Sequence, residues 1–174
     1  MKKLIPLILI NIEIKIGIQI SVISFRIYMT TMYDEISVGA VLYFVDSHLN
    51  INYLILNYSY GHWDFPKGNI ETGEAEIETI KREIMEETGI VDIRLVDGFR
   101  EQISYRYKKR SRLVNKSVIY YIVETMSNKV ILSFEHVDFS WLNFNDALNK
   151  LSFDNSKKVL KNANDLLLNT NKKH

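Results

Sequence analysis

The chain contains no cysteine. This absence excludes disulfide bridges, a thiol nucleophile and cysteine-ligated zinc, and it fits a reducing cytosol. The four histidines are scattered along the chain, and no two of them form a His-x-x-x-His zinc pair. A formal net charge of only +1 gives no general reason to expect attraction to nucleic acid or membranes. We therefore expect a cytoplasmic protein without a DNA or membrane partner.

Long apolar runs are also missing, although nine isoleucines occur in the first 25 positions. A membrane helix needs about 18 nearly uninterrupted apolar residues. The polar residues that interrupt this stretch are Asn11, Glu13, Lys15 and Gln19. The run INIEIKIGIQISV alternates between apolar and polar side chains, which is typical of a strand rather than a helix. Lys2 and Lys3 would suit a signal peptide, but no clear cleavage site follows them.

The isoleucine-rich stretch differs in composition from the rest of the chain, and this difference suggests the domain organisation. We interpret residues 1–31 as an atypical isoleucine-rich leader, and we expect the true start of the protein to be Met32 or Met29. An additional strand or an anchor is the alternative. The length of 174 residues fits one folded domain, which we assign to residues 32–174.

Two strands and a helix are predicted after Met32. The strands are SVGAVLYFV and INYLILNYS, and the segment DSHLN between them is a hairpin-like turn. The glycine-containing loop YGHWDFPKGNIETGE follows. From Glu74 to Thr88, isoleucines at a spacing of three and four predict a helix, and Gly89 stands where a helix C-terminal glycine belongs.

The second half of the chain is predicted to return to strands and to end in helices. We expect strands in IVDIRLVDGFREQISYRY, with a bend at residues 97–98, and in SVIYYIVET, KVILSF and DFSWLN. The basic segment KKRSRLVNK is predicted to be a loop, and FNDALNKL and DNSKKVLKNANDLLLN are predicted to be helices. This order predicts an α/β (α+β) layered domain with a mixed sheet.

Three glutamates on the predicted helix raise a physical question. Glu83, Glu86 and Glu87 fall within a sector of roughly 100°, where like charges cost a few tenths of a kcal/mol per pair. A hard dication such as Mg²⁺ or Mn²⁺ would reverse that sign, because it prefers carboxylate and carbonyl oxygens. Arg82 lies four residues before Glu86 and can brace it. The alternative is a solvated, glutamate-rich helix.

The spacing of these residues resembles the Nudix box. The matching positions are Gly68, Glu74, Arg82, Glu83, Ile84, Glu86, Glu87, Gly89 and Ile90. The resemblance implies an α/β/α sandwich with a central mixed sheet, and a hydrolase that cleaves a nucleoside diphosphate linked to another moiety. It also implies that Glu83, Glu86, Glu87 and the Gly68 carbonyl hold Mg²⁺ or Mn²⁺.

A general base is also needed, because the attacking water must lose a proton. We expect Glu83 to act as this base in addition to its metal role. Glu135 is the rival candidate, since some Nudix enzymes place a late glutamate at this point, and Glu124 is the third choice.

The segment HWDFPKGNIETGE is similar to the opening of the asymmetrical diadenosine tetraphosphate hydrolases, through His62, Trp63, Pro66, Lys67 and Gly68. NKSVIYYIVE and EHVDFSWLNFNDALNKLSF extend the similarity. The resemblance implies that His62, Lys67 and Lys116 contact the polyphosphate and that Tyr105 and Phe153 stack on adenine. It also places Tyr120 among the substrate-binding residues. The two tryptophans are interpreted as packing residues.

One departure keeps other substrates open. Phe65 replaces a proline of that motif, and the resulting Trp-x-Phe-Pro-Lys-Gly also occurs in RNA decapping, RNA pyrophosphohydrolase and diphosphoinositol polyphosphate enzymes. The basic residues of RYKKRSRLVNK can meet a long polyphosphate or an RNA 5′ end, or form a solvated hairpin tip. They are Arg106, Lys108, Lys109, Arg110, Arg112 and Lys116.

We favour a monomeric enzyme that cleaves a small nucleoside polyphosphate, diadenosine tetraphosphate, to ATP and AMP. The alternatives are removal of pyrophosphate from RNA 5′ ends and hydrolysis of another Nudix substrate such as a deoxynucleoside triphosphate or ADP-ribose. A non-catalytic nucleotide-binding module is the alternative from a different class. The intact glutamates argue against it, because a binder has no need to keep them.

The leader hypothesis has a direct test. Intact-mass spectrometry of the protein from its native source should find a chain that begins at Met32 or Met29. A mass that includes residues 1–31 would contradict this start.

Overall fold

An eight-stranded mixed sheet forms the centre of residues 32–171, the part of the chain that the computed structural model describes. The predicted leader, residues 1–31, lies outside the described residues. The strands are β1 (Glu35–Val45), β2 (Ile51–Tyr58), β3 (His62–Asp64), β4 (Lys67–Asn69), β5 (Ile93–Leu95), β6 (Glu101–Lys109), β7 (Arg112–Thr125) and β8 (His136–Leu142). Strands β3, β2, β1, β7 and β5 are neighbours in that order; β4 pairs with β1, β6 with β7, and β8 with β2.

Strand direction sets which residues meet. Strands β1 and β7 are parallel from Glu35 opposite Lys116 to Tyr43 opposite Glu124. The other strand pairs of the described sheet are antiparallel. The start of β1 therefore lies beside Lys116, in the first half of β7.

Helices cover both faces of this sheet. Helix α1 (Glu76–Thr88) packs through Ile80 and Ile84 on one face, while α2 (Phe144–Lys150) and α3 (Asp154–Asn171) pack on the other. The Tyr53 hydroxyl donates a 2.8 Å hydrogen bond to Asn164 Oδ1 and joins β2 to α3. The arrangement confirms the predicted α/β/α sandwich with a central mixed sheet. No helix among the described residues has both the length and the apolar content that crossing a membrane requires.

The isoleucine spacing and the C-terminal glycine predicted for α1 agree with the structure. Ile80 and Ile84 are each 1% exposed, so the predicted isoleucine stripe faces the sheet. Gly89 adopts a left-handed conformation with φ of 70°, and its N–H donates to the Met85 carbonyl. The helix begins at Glu76 rather than Glu74, because Ala75 is its N-cap residue. The Ala75 N–H donates a 2.7 Å hydrogen bond to the Glu78 carboxylate in the first turn.

The prediction that KKRSRLVNK is a loop is wrong. The segment lies in the β6–β7 hairpin, which turns at residues 110–111. Arg110 takes the left-handed conformation there, with φ of 58°. Charged side chains are compatible with an antiparallel hairpin that is partly open to solvent, so a run of basic residues does not exclude strands. The predicted bend at residues 97–98 agrees with the break between β5 and β6, where Gly98 has φ of 85°.

The prediction that KVILSF is a strand is also wrong. Residues 129–134 form an irregular segment whose N–H groups bond to the end of α1 instead of to a strand. Ile131 N–H donates to the Thr88 carbonyl at 2.8 Å, and Ser133 N–H donates to the Glu87 carbonyl at 3.3 Å. The last carbonyls of a helix have no hydrogen-bond donor within the helix, and this segment supplies N–H donors to two of them.

One ionic cluster joins β1 to the hairpin. Glu35 accepts hydrogen bonds from Tyr107 Oη at 2.8 Å, from Lys109 Nζ at 2.7 Å and from Lys116 Nζ at 3.4 Å. Burial alone would raise the pKa of Glu35, but hydrogen bonds from Lys109 and Tyr107 outweigh it and lower the pKa to about 2. The ionised carboxylate therefore stabilises the folded state.

Glu35→Gln should lower the stability in a pH-dependent way. Because the folded-state pKa lies below the ordinary value of 4.5, the stabilisation is present above that value and is lost as the pH falls toward about 2. The difference in Tm between wild type and variant should be largest near neutral pH and shrink toward pH 2. Thermal unfolding followed by circular dichroism checks this, with Glu71→Gln on an exposed loop as control. A difference that is constant across this range would contradict the expectation.

Candidate active site

The Arg82 guanidinium lies at the centre of a carboxylate cluster. Its Nη1 donates to Glu83 Oε1 at 2.6 Å and to Glu86 Oε2 at 3.0 Å. Its Nε and Nη2 donate to the two carboxylate oxygens of Glu74, each at 2.9 Å, and Nη2 also donates to the Asn69 carbonyl at 3.0 Å. These hydrogen bonds from Arg82 lower the pKa of Glu74 to about 2. Arg82 thus offsets the mutual repulsion that the sequence implied.

Gly68 is the position where strand β4 passes against Glu83. A Cβ atom at Gly68 would lie 1.8 Å from both Cδ and Oε1 of Glu83, so no other residue fits without displacing the carboxylate. The pairing of Gly68 with Val38 holds β4 against the central strand β1. Burial and the charges of Glu86 and Glu135 raise the pKa of Glu83, while Arg82 opposes the increase.

Glu87 is the buried member of the three glutamates. It is 4% exposed, whereas the side chain of Glu86 is 50% exposed. Glu87 Oε2 accepts a 3.0 Å hydrogen bond from the Lys67 N–H, and Oε1 lies 3.5 Å from His136 Nε2. Burial raises the pKa of Glu87 to about 8; Glu83 and Glu135 add to the increase, and Lys67 opposes it. The three glutamates therefore lie close enough to interact but differ in environment.

The donor chemistry fits a hard dication. As the side chains stand, no three acidic or histidine groups within residues 32–171 converge as a metal site, since Arg82 engages both Glu83 and Glu86. The expected ligands are all oxygen donors, namely carboxylates and the Gly68 carbonyl, which Mg²⁺ and Mn²⁺ prefer. The exposed pair of Glu86 with Arg82 is weak enough for Glu86 to turn toward a cation.

A polar group made of Lys67, Asp64, His62 and Tyr58, called the polar pocket below, lies next to this cluster. Lys67 Nζ lies 3.0 Å from Asp64 Oδ2 and 4.1 Å from the centre of the Tyr58 ring, and it is buried without a hydrogen bond of good geometry. Burial and the charge of Lys67 lower the pKa of His62. Burial also lowers the pKa of Lys116, and the charge of Lys67 adds to that decrease. Two of the predicted polyphosphate-binding residues, His62 and Lys116, therefore lie close enough to Lys67 to interact with it electrostatically.

Aromatic side chains border this pocket. The His62 ring stacks on Tyr58 with ring centres 4.7 Å apart, and the Phe153 ring centre is 5.2 Å from His62. Phe153 is 46% exposed and Tyr105 is 36% exposed, so both rings are accessible. Tyr120 is 1% exposed and packs edge-on against Phe65 at 5.7 Å. The structure therefore places Tyr120 in the core, where its ring supports the pocket from inside.

The candidate bases occupy different positions. Glu135 is exposed on the turn before β8, and its charge raises the pKa of Glu83 and Glu87, so it faces the cluster. Glu124 pairs with Arg94 on strand β5. Val38 on β1 pairs with Gly68 on β4 and with Ile119 on β7. Glu124 lies five residues further along β7 than Ile119, which is about 17 Å from the level of Gly68. Glu124 therefore does not join the other glutamates.

Sequence reasoning missed several residues of the site. Asp64 holds Lys67, Tyr58 lies under it, and Asn69 Oδ1 lies 3.5 Å from Lys116 Nζ. His136 was assigned no role, although it directly follows Glu135 at the start of EHVDFSWLNFNDALNKLSF, the segment that extends the family similarity. Trp63 and Trp141 pack as expected, Trp63 under Lys150 and Trp141 against Phe44.

Comparison with known proteins agrees with this geometry. Residues 36–163 match the NUDIX domain. A rat protein, bis(5′-nucleosyl)-tetraphosphatase [asymmetrical], is 35% identical over 126 residues, which cover 69% of this chain and 83% of the rat protein. The crystal structure of a binary complex of the C. elegans Ap4A hydrolase matches with a TM-score of 0.69 and 26% identity, covering 78% of this chain and 98% of that one. An RNA pyrophosphohydrolase from Nitratiruptor is 40% identical over only 48 residues, 28% of this chain and 31% of that protein.

The chain therefore belongs to the Nudix family. It is a Nudix pyrophosphohydrolase, homologous to the asymmetrical bis(5′-nucleosyl)-tetraphosphatases. This confirms the resemblance drawn from the box and its flanking residues. Nudix hydrolases generally use divalent metal ions, which agrees with the oxygen-donor set described above.

Arg82→Lys should lower pyrophosphohydrolase turnover by at least about tenfold. One ammonium group cannot reproduce the forked contacts with Glu74, Glu83, Glu86 and the Asn69 carbonyl, so the carboxylates lose their arrangement. Steady-state kinetics with Mg²⁺ measures the loss. Arg94→Lys, which changes an arginine paired with Glu124 outside the cluster, is the control and should stay within about twofold of wild type. Equal activity of both variants would contradict the bracing role.

Proposed function

We propose that this enzyme hydrolyses diadenosine tetraphosphate asymmetrically, to ATP and AMP, by attack of water on phosphorus with Mg²⁺ or Mn²⁺ as cofactor. The observation that carries the proposal is the extent of the similarity: the match to the rat asymmetrical tetraphosphatase covers 83% of that protein. The match therefore reaches well beyond the box, into the residues that border the pocket. The match to the RNA pyrophosphohydrolase covers 31% of that protein.

The glutamate cluster supports the reaction electrostatically. When bound, the dication neutralises phosphate charge, polarises the bridging oxygen and acidifies a water. Glu83, Glu86 and Glu87, with the Gly68 carbonyl, are the groups that would hold it. Arg82 keeps Glu83 and Glu86 together, and the Lys67 N–H orients Glu87.

Glu83 is the proposed general base. It lies beside Gly68 within the glutamate cluster, and in the metal-free protein burial raises its pKa, which favours acceptance of a proton. Glu135 is the alternative base, since it is exposed and faces the same cluster. Either group would take the proton directly and release it to solvent after cleavage.

The polar pocket suits a polyphosphate with a flanking base. Lys67, His62 and Lys116 supply positive charge or hydrogen-bond donors to phosphate oxygens. Tyr105 and Phe153, both accessible, supply planar surfaces for an adenine. Tyr120 contributes from within the core: its ring packs against Phe65, which directly precedes Pro66 and Lys67 in the sequence.

Salt bridges in the hairpin argue against an RNA 5′ end as the main substrate. Lys109 pairs with Glu35, and Arg112 pairs with Asp34, so part of the basic charge of the hairpin is neutralised within the protein. Phosphate-backbone binding depends on positive charge that is free to replace counterions. The tip therefore offers less electrostatic attraction than the sequence implied.

A substrate comparison tests the proposed reaction. With Mg²⁺, diadenosine tetraphosphate should be cleaved with a higher kcat/KM than ADP-ribose, nucleoside triphosphates or 5′-triphosphorylated RNA, and the products should be ATP and AMP by chromatography. Triphosphorylated RNA as much the best substrate would favour the alternative. Tight binding of nucleotide without turnover would instead indicate a non-catalytic module.

Glu86→Gln and Glu87→Gln should each lower turnover by at least about two orders of magnitude, because each removes a charged oxygen ligand. Single-turnover kinetics at saturating Mg²⁺ measures the effect. Glu71→Gln removes a carboxylate from an exposed loop and serves as control. Near-normal rates in either box variant would remove that glutamate from the cation site.

A further inference from the structure

His136 is a buried histidine whose inner ring nitrogen has no partner. Its side chain is 0% exposed, and Nε2 is among the few buried polar atoms in the described residues that lack a hydrogen bond. Unsatisfied buried polar groups are rare in folded proteins because each loses its hydration without compensation. Nε2 lies 3.5 Å from Glu87 Oε1, slightly beyond hydrogen-bond length.

The other ring nitrogen is held by a hydroxyl. His136 Nδ1 lies 3.1 Å from Ser133 Oγ, and that oxygen also accepts a 3.4 Å hydrogen bond from the Glu135 N–H. The Ser133 hydroxyl hydrogen is then available to donate to Nδ1, which leaves the ring proton on Nε2. With Nδ1 accepting from Ser133, the ring proton is on Nε2, the nitrogen that faces Glu87 Oε1.

The ring is fixed by the turn that carries it. Ser133 N–H donates to the Glu87 carbonyl at 3.3 Å, and Ser59 N–H donates to the Glu135 carbonyl at 3.0 Å. The His136 ring also packs edge-on against Tyr58, with ring centres 4.3 Å apart. The turn is therefore bonded to α1 and to the residue that directly follows β2, and His136 has little freedom to move away from Glu87.

We propose that His136 is a positioning residue that donates Nε2–H to Glu87 and fixes the orientation of this carboxylate for cation binding. The Lys67 N–H already holds Glu87 Oε2 at 3.0 Å, so His136 fixes the second oxygen. Both carboxylate oxygens then have a defined direction. The inference rests on the proposed function in assigning Glu87 to the cation site, and it adds a residue that acts only through Glu87.

The test compares a variant that keeps a donor with one that does not. His136→Gln retains an amide N–H donor, His136→Leu removes all donors, and Ser133→Ala removes the hydroxyl that orients the ring. Val137→Thr, at the neighbouring and 64% exposed position of β8, is the matched control. The readouts are Mn²⁺ affinity of the substrate-free full chain, from the electron paramagnetic resonance signal of free Mn²⁺, and kcat and KM for diadenosine tetraphosphate.

His136→Leu should weaken Mn²⁺ binding and lower kcat by about 10- to 100-fold, with KM changed less than about threefold, since outer partners of metal ligands have effects of this size. His136→Gln should recover most of both losses, and Ser133→Ala should show a smaller loss of the same kind. Val137→Thr should match wild type. Circular dichroism of the metal-free proteins establishes that each variant is folded.

Mn²⁺ affinity of His136→Leu within about twofold of wild type would overturn the proposal, as would a glutamine variant no better than leucine. If His136→Leu fails to fold, unchanged Mn²⁺ affinity in Ser133→Ala overturns it instead. Failure of the proposed function has a different signature: Mn²⁺ binding follows the variant series, but wild type does not cleave diadenosine tetraphosphate.

Discussion

Repulsion among neighbouring carboxylates is the constraint on which this site depends. Two of the glutamates, Glu83 and Glu86, meet a single nitrogen of Arg82, and the third, Glu87, is almost completely buried. On an exposed helix such repulsion costs a few tenths of a kcal/mol per pair, but burial of an ionised carboxylate costs far more unless it is compensated. The fold offsets part of this cost, through the Arg82 guanidinium at Glu83 and Glu86, the Lys67 N–H at Glu87 and a glycine that leaves room for Glu83. The part that is not offset raises the pKa of Glu87 to about 8.

The short strand β4 connects the sheet to this cluster. Because β4 pairs with β1, Lys67 and Gly68 are held at a fixed height beside α1. The parallel pairing of β1 with β7 places Lys116 next to Glu35 at the same end of the sheet. The proposed metal-binding groups and the proposed polyphosphate-binding groups therefore share one scaffold, an arrangement that suits a cation and a phosphate chain bound side by side.

The segment before β8 links packing to chemistry. It has the apolar composition of a strand, yet its backbone bonds to the end of α1. This arrangement satisfies carbonyls of the last helical turn and covers the buried side of Glu87. It also brings Glu135 to the open side of the cluster and His136 to the closed side.

The sequence by itself determined the features that have a local cause. The isoleucine spacing defined the face of α1, and Gly89 marked its end, because only glycine adopts a left-handed conformation without cost. The spacing of the box residues identified the family and its glutamates, since one helical turn brings them together whatever surrounds the helix. The layered fold followed from the order of strand and helix patterns.

Only the tertiary structure decided which of these groups are buried and what they contact. The burial of Glu87 and Tyr120, the pairing of Lys67 with Asp64 and the position of His136 all depend on residues distant in the chain. Two segments were misassigned for the same reason: charge suggested a loop where a partner strand was available, and apolar composition suggested a strand where a helix end offered the hydrogen bonds. Local patterns record what a segment can form, whereas its long-range partners select what it does form.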